Sequence, residues 1–394
     1  MTKNAEESHL KIKVFLIVLL LVIIISVSSF KIYQHFTENN NLIIPNQITL
    51  TPSVADEFPK NYNVAISNDP QAMQFNILTP HQSHYVAKLL NEDRFIGTAL
   101  IIKNGKPIFK KSYGYADFAT HRLNKPDDVY QLASVQKSIT GVLIMQEIDA
   151  GKMSFDDHIS KYYPSIPKGD QITIRQMLDM TSGISCDTLP HKMMSTQGFI
   201  NYYLHHLKVS NIGVWNYQPV NYNLLTGILE RLTGQSYQSL VRERIIEPLH
   251  LHATGFVFNW HKLPTYTQGY ALANLKRPYQ RPIYEPNYAK ACQLGTGNMY
   301  SSANDLYLLE KDIIAGKIIS QANLAKLRDA HFDGQYVGGI YTYHDHYMSH
   351  GLIAGFEATI VISRDGQDAV VLLSNRNADH YSPAAATRIF EMIK

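Results

Sequence analysis

This chain has little cysteine and almost no excess of charge of either sign. Only 2 of its 394 residues are cysteines, Cys186 and Cys292. Outside the cytoplasm they could pair, but their spacing does not demand a disulfide, so two free, buried thiols are the favoured interpretation and a bridge stays open. The 36 basic and 33 acidic residues give a formal net charge of +3, without a long basic run. A nucleic-acid partner therefore has no electrostatic support.

Metal-binding patterns are also scarce. The 17 histidines include two close pairs, His250 with His252 and His344 with His346. The chain contains no His-Glu-x-x-His motif, and no third or fourth ligand is evident near either pair. Surface or hydrogen-bonded histidine is the better interpretation, and neither a metal nor another cofactor is expected.

One long apolar run lies near the N-terminus. Residues 14–30 are almost continuously apolar, and two further residues, Ile32 and Tyr33, extend the run. As a helix rising about 1.5 Å per residue it spans roughly 25 Å, which with this extension is just enough to cross a bilayer. Three lysines precede it: Lys3, Lys11 and Lys13. The positive-inside rule therefore places the N-terminus in the cytoplasm, and a cleaved signal peptide ending near the small residues 26–28 is the alternative.

The sequence predicts four successive segments. Residues 1–13 form a cytoplasmic tail, 14–33 a transmembrane anchor, and 34–75 a stalk rich in Asn, Pro, Thr and Asp. Residues 76–394 form one domain, because no second break in composition and no internal repeat follows. The protein is expected in the cell membrane as a single-pass protein with this domain outside the cell.

Apolar periodicity within residues 76–394 predicts an α+β fold. The predicted strands are 97–103, 106–113, 358–364 and 369–374, and the predicted helices are near 84–90, after Ser134, at 221–232, at 239–249 and at the C-terminus. Asn104-Gly105 joins the first two strands as a strong hairpin turn signal. Strands at both ends of the domain, with helices between them, indicate one antiparallel sheet closed by both chain ends and flanked by helices.

The segment from Gln131 to Thr140 contains the strongest candidate for chemistry. Ser134 and Lys137 lie one turn apart on the same face of the predicted helix. A serine hydroxyl is a weak nucleophile until a base takes its proton, and a lysine can be that base when burial disfavours its charge. Ser-x-x-Lys also occurs elsewhere in the chain, for example at Ser8, before the apolar run, and at Ser165, where an intervening proline forbids a helix interior. Only Ser134 precedes a helical pattern.

From about residue 80 onward, the chain resembles the serine β-lactamase and penicillin-binding-protein superfamily, in the low-molecular-weight branch near class C β-lactamases. The segments that carry the resemblance occur in the family's order: SYGYADF (112–118), ASVQKSIT (133–140), ITIRQMLDMTSGIS (172–185), NYNLLTGILERLTGQSY (221–237), GTGNMYSSANDL (295–306) and HGLIAGFEA (350–358). The resemblance implies an antiparallel sheet flanked by helices, an all-helical lobe and an acyl-enzyme mechanism.

The resemblance also implies roles for particular residues. Ser134 corresponds to the acylated nucleophile and Lys137 to its base. Tyr217 corresponds to the tyrosine of the family's Tyr-x-Asn motif, which passes a proton to the leaving group. The backbone N–H groups of Ser134 and Leu352 correspond to the oxyanion hole.

Two positions depart from the family's motifs. Pro219 stands where the family has asparagine, and no Tyr-x-Asn occurs anywhere in the sequence. The strand motif, Lys-Thr-Gly or His-x-Gly in the family, corresponds to Ser349, His350 and Gly351. Ser349 carries no charge. His350 therefore either replaces the missing charge, with a ring that points into the site, or only orients the strand. In the family, the missing amide holds the substrate's acyl-amide chain and the missing basic residue holds its free carboxylate.

These departures favour an ester substrate without a free carboxylate at the point of cleavage. One membrane-anchored branch of the superfamily removes D-alanine from teichoic acids in Gram-positive walls. Resemblance to that branch implies a D-alanyl esterase whose partner is (lipo)teichoic acid, with the membrane bound through the N-terminal helix. The alternatives are a DD-carboxypeptidase or penicillin-binding protein acting on peptidoglycan, a generic esterase or β-lactamase, and a catalytically silent wall-binding pseudoenzyme.

Overall fold

The computed structural model describes residues 75–92, 94–271, 278–376 and 382–394. All of them belong to the second of the two units into which the chain divides, Tyr62–Lys394. The predicted cytoplasmic tail, the transmembrane anchor and all but the last residue of the stalk lie outside the described residues. Among the residues that are described, no helix is long and apolar enough to cross a membrane.

An antiparallel sheet organises the described domain. The strands in chain order are β1 (Phe75–Asn76), β2 (Gly97–Lys103), β3 (Lys106–Tyr113), β4 (Tyr115–Asp117), β5 (Arg122–Leu123), β6 (Tyr130–Gln131), β7 (Ile184–Ser185), β8 (Lys208–Val209), β9 (Gly255–Phe256), β10 (Met299–Ser301), β11 (Gln335–Val337), β12 (Ile340–Thr342), β13 (His346–Ile353), β14 (Phe356–Ser363) and β15 (Ala369–Ser374). The main sheet has the order β1-β3-β2-β15-β14-β13-β12-β11. The pairing of β2 with β15 joins the two ends of the domain, as predicted.

The helices in chain order are α1 (Pro80–Glu92), α2 (Gln136–Asp149), α3 (Ile174–Leu178), α4 (Thr196–His206), α5 (Val220–Thr233), α6 (Tyr237–Val241), α7 (Asn287–Ala291), α8 (Ala303–Ile314), α9 (Gln321–Leu327) and α10 (Ser382–Ile393). Helices α3, α4 and α6 pack around α5, which contacts α2. This group corresponds to the helical lobe that the resemblance implied. Together with the antiparallel sheet it confirms the α+β class.

Both faces of the central strands are buried, which explains their almost continuous apolar sequences. Along β2, Ile101 faces the side covered by α1 and α10, where it shares a cluster with Val370 and Ile389. Its neighbour Leu100 faces the opposite side and joins the larger core that includes the helical lobe. Helix α2, which carries Lys137, lies within this larger core.

The predicted elements match the structure closely at the sheet and less well in the helical lobe. Strands 97–103, 106–113 and 369–374 are confirmed residue for residue, and β14 begins two residues before its predicted start. The prediction of a helix around 239–249 is met in part: α6 passes into a π-helical turn over Arg242–Ile246, and the helix ends there, before the predicted end at Leu249. That wider turn places Arg244 against the buried Glu147 of α2, with an Nη1–Oε1 distance of 2.5 Å. Apolar spacing alone does not reveal such a contact.

Candidate active site

Ser134 lies at the junction between β6 and α2. The chain leaves β6, passes through a single 3₁₀ turn over Ala133–Val135, and continues as α2. Ala133 has a left-handed φ of 48°, which is unfavourable for a residue with a Cβ atom. This sharp change of direction places Ser134 at the first turn of a helix whose sides are almost entirely buried.

Lys137 points back at Ser134 from the next turn. Its Nζ donates a hydrogen bond to Ser134 Oγ at 2.8 Å and another to the carbonyl of Thr296 at 3.2 Å. The residue is only 1% exposed. The amine is therefore held against the hydroxyl by the fold, with little water around it. The carbonyl of Thr296 is a functional contact that sequence reasoning missed, because a backbone acceptor leaves no signal in residue type.

Tyr217 lies on the loop before α5 and faces the same lysine. Lys137 Nζ is 5.0 Å from the centre of its ring, and the ring meets that of Tyr336 edge-on, with centroids 5.5 Å apart. Two backbone hydrogen bonds anchor this loop, from the N–H of Asn216 to Met180 and from the N–H of Gly213 to Thr181. The structure thus brings Ser134, Lys137 and Tyr217 together from separate parts of the chain.

Strand β13 approaches the serine at Gly351. A Cβ atom added there would lie 2.4 Å from Leu132 O, 2.6 Å from Ser134 N and 2.8 Å from Ala133 Cβ. Real Cβ atoms do not come this close to backbone atoms, so only glycine permits the contact. Ser349, two residues earlier and on the same face, is buried at 3% exposure.

The register of the β13–β14 hairpin shows where the N–H of Leu352 points. Ala354 and Gly355 form a two-residue turn with φ of 49° and 84°, and such a turn is closed by a hydrogen-bonded pair, here Ile353 with Phe356. Pairs alternate along an antiparallel ladder, so Leu352 and Glu357 form a non-hydrogen-bonded pair. The N–H of Leu352 is therefore directed away from β14, towards the edge where the strand meets the Ser134 turn.

His350 does not face the site. Strand alternation puts it on the opposite face from Ser349 and Gly351. There its Nε2 lies 3.1 Å from Glu357 Oε1, and the same oxygen accepts a hydrogen bond from the backbone N–H of Ser382 at the start of α10. The expectation that His350 compensates for Ser349 within the cleft is thus corrected, and its placement fits a residue that ties β13 to β14 and α10.

Pro219 occupies the start of α5. Its carbonyl accepts a hydrogen bond from the N–H of Tyr222 at 2.9 Å, as is usual for the residue that precedes a helix. Its ring offers neither a donor nor an acceptor, so the position of the family's asparagine contributes no side-chain hydrogen bond.

The remaining candidates lie outside this constellation. Cys186 and Cys292 are both free, and only Cys292 is buried. His344 pairs with Asp333 at 2.7 Å, whereas His346 pairs with Asp345 at 2.6 Å. Each of these imidazoles therefore has a carboxylate partner of its own.

The fold and this arrangement of serine, lysine and tyrosine define a serine hydrolase of the β-lactamase type. The family described as Beta-lactamase matches residues 83–392, so the chain belongs to that family. PbpX of Bacillus subtilis strain 168 is 29% identical over 332 residues, which are 80% of this chain and 82% of PbpX. Flp of Staphylococcus aureus strain MRSA252 is 26% identical over 304 residues, 71% of this chain, but the match spans only 59% of Flp.

Solved structures of low sequence identity share the fold. FmtA from Staphylococcus aureus superposes with a TM-score of 0.69 at 23% identity, over 82% of this chain and 88% of FmtA. D-amino acid amidase from Ochrobactrum anthropi SV3 superposes with a TM-score of 0.67 at 19% identity, over 79% of this chain and 98% of the amidase. At these identities the likeness concerns the fold alone.

Proposed function

We propose that this protein is an extracellular, membrane-anchored serine hydrolase that removes D-alanyl esters from (lipo)teichoic acid in a Gram-positive envelope. The observation that carries the proposal is the 2.8 Å contact between Lys137 Nζ and Ser134 Oγ. Tyr217 stands beside that pair, and β13 supplies a backbone N–H at the adjoining edge. The predicted N-terminal anchor and stalk support a location at the cell surface.

The proposed reaction has two steps. Lys137 takes the proton from Ser134 Oγ while the oxygen attacks the ester carbonyl, and the N–H groups of Ser134 and Leu352 stabilise the oxyanion. When the carbon–oxygen bond to the alcohol breaks, Tyr217 donates a proton to the departing oxygen and regains one from Lys137. Water then attacks the acyl-enzyme with the same pair as base, Ser134 recovers its proton, and D-alanine leaves.

The choice of an ester as substrate rests on two positions that lack the polar or charged side chains found in the family. Pro219 has no side-chain polar group, and Ser349 has no charge where the family carries a cation. His350 cannot replace that cation because it lies on the other face of β13. A D-alanyl ester of a polyol phosphate carries an ammonium group and no carboxylate, so it does not need the missing groups.

Release of D-alanine from two substrates tests the proposal. Full-length protein in detergent is incubated with D-alanylated lipoteichoic acid and, separately, with a muropeptide ending in D-Ala-D-Ala, beside its Ser134→Ala variant. We expect release from the teichoic acid alone and none from the variant. Release from the muropeptide alone would instead make the protein a DD-carboxypeptidase. Release of D-alanine from neither substrate would favour a wall-binding pseudoenzyme.

A further inference from the structure

A carboxylate lies close to the Ser134 turn and takes no part in the proposed reaction. Glu285 precedes α7, and its oxygens accept hydrogen bonds from two amide side chains. Gln293 Nε2 donates at 2.5 Å to one oxygen, and Gln131 Nε2 donates at 3.5 Å to the other. These neutral donors fix the carboxylate in position without cancelling its charge.

Two contacts connect this carboxylate to the serine. Gln131 is three residues before Ser134 and also donates to the carbonyl of Gly297 at 3.0 Å. A Cβ atom placed on Gly297 would lie 3.3 Å from Gln293 Oε1 and 3.4 Å from Ala133 Cα. Gly297 therefore packs closely against both the amide of Gln293, which holds Glu285, and the turn that carries the nucleophile.

Glu285 has no cationic partner among the described residues. The hydrogen bonds to its oxygens come from Gln293 and Gln131, and the charge of Lys290 acts on it without an ion pair. Burial raises the pKa of Glu285, while the hydrogen bond from Gln293 and the charge of Lys290 lower it. A partly buried carboxylate that is hydrogen-bonded only by amides, with Lys290 acting on it but forming no ion pair, is incompletely compensated. Such a carboxylate attracts a positively charged ligand group.

We infer that Glu285 is the subsite for the ammonium group of the substrate's aminoacyl moiety, an inference that rests on the proposed function. The alcohol of a bound ester must face Tyr217, which protonates it, so the substituents of the acyl group face the other walls. The turn at Thr296 and Gly297, which contacts Lys137 and Ala133, borders one of them. Gln131 links that turn to the carboxylate of Glu285. A free α-ammonium is thereby recognised, and an uncharged acyl group is not.

A pair of esters that differ in one group tests this subsite. D-alanyl and D-lactyl esters of the same alcohol differ only by an ammonium in place of a hydroxyl. With full-length protein, we expect kcat/KM to be roughly ten- to hundredfold higher for the D-alanyl ester. Glu285→Gln should abolish this preference by lowering kcat/KM for the D-alanyl ester while leaving that for the D-lactyl ester within about twofold.

Two further variants control the comparison. Glu247→Gln removes a carboxylate whose side chain is 62% exposed and should keep the full preference. Glu285→Asp keeps the charge and should retain part of it. Equal losses on both esters in Glu285→Gln would assign the residue a structural role and overturn the subsite.

The failure of the subsite and that of the proposed function give different results. Ser134-dependent hydrolysis of both esters at equal rates would overturn the subsite and leave the hydrolase standing. No turnover of either ester, with no labelling of Ser134 by a fluorophosphonate probe, would overturn both.

Discussion

Gly351 is the single residue whose replacement should test the geometry of the site most sharply. A methyl group there would meet the backbone of Leu132 and Ser134 at 2.4 and 2.6 Å, so β13 must move away from the serine. Since a misplacement of about 1 Å can cost about a hundredfold in rate, we expect Gly351→Ala to lower kcat/KM by about two orders of magnitude. Steady-state hydrolysis of a D-alanyl ester measures this.

Gly151→Ala provides the matched control for that substitution. Gly151 also has a constrained backbone, with φ of 69°, but nothing lies within 4 Å of an added Cβ atom. This variant should lose about 1 kcal/mol of stability and keep its activity. Wild-type kinetics in Gly351→Ala would refute the close contact between β13 and the serine.

Tyr217→Phe isolates the proposed proton donor. The substitution keeps the ring that contacts Lys137 and Tyr336 and removes only the hydroxyl group. Loss of a general acid lowers the rate by about 10²- to 10⁴-fold, so kcat should fall in that range with the fold unchanged. Near-wild-type turnover, measured beside circular dichroism of the same sample, would remove Tyr217 from the mechanism.

The charge of Glu285 should make substrate preference depend on pH. A protonated carboxyl group does not attract an ammonium, so the preference for D-alanyl over D-lactyl esters is present at higher pH and lost as pH falls. Burial raises the pKa of this carboxyl, so the loss should begin at a higher pH than for an ordinary glutamate. The ratio of kcat/KM values between about pH 4 and about pH 7 measures it, and a ratio independent of pH would argue against the subsite.

Among the elements, α2 depends on a buried ion pair beneath its first turn. Arg328, just after α9, donates to Ser138 of α2 at 2.9 Å and to Glu310 of α8 at 2.8 Å. Both charged side chains are at most 1% exposed. Removing one partner leaves the other charge buried and uncompensated, so Glu310→Gln should lower the free energy of unfolding by about 3–5 kcal/mol.

Urea denaturation of Glu310→Gln and of Glu92→Gln measures this effect. Glu92 forms an exposed pair with Lys88 on α1 at 3.8 Å, and such pairs contribute about 0–1 kcal/mol. Similar unfolding free energies for the two variants would contradict a structural role for the buried pair.

The same elements show what the sequence can predict. The hairpin of β2 and β3 is predictable because Asn104 and Gly105 both adopt the positive φ that its turn requires, 51° and 71°. The direction of His350 is not, because it depends on the pairing register of β13 with β14. The π turn after α6 accompanies a contact between Arg244 and Glu147, residues far apart in the chain, and local periodicity contains no trace of that contact.

At the scale of the whole described domain, the site forms where the sheet and the helical lobe pack against α2. Ser134 and Lys137 are predictable from a local pattern, because one helical turn brings them together. Thr296 and Glu285 reach the site through long-range packing and act through a carbonyl and a single carboxylate, which leave no motif. Tyr217 and Leu352 are placed in advance only by resemblance to a family whose fold this chain shares.

The most direct measurement is the detection of the acyl-enzyme. The full-length wild-type protein is mixed with D-alanylated lipoteichoic acid, quenched in acid within the first turnovers and digested for mass spectrometry. A D-alanyl group attached to Ser134, absent from Ser134→Ala, is the predicted result. Release of D-alanine without any adduct on Ser134, or an adduct on another residue, would contradict nucleophilic catalysis by this serine.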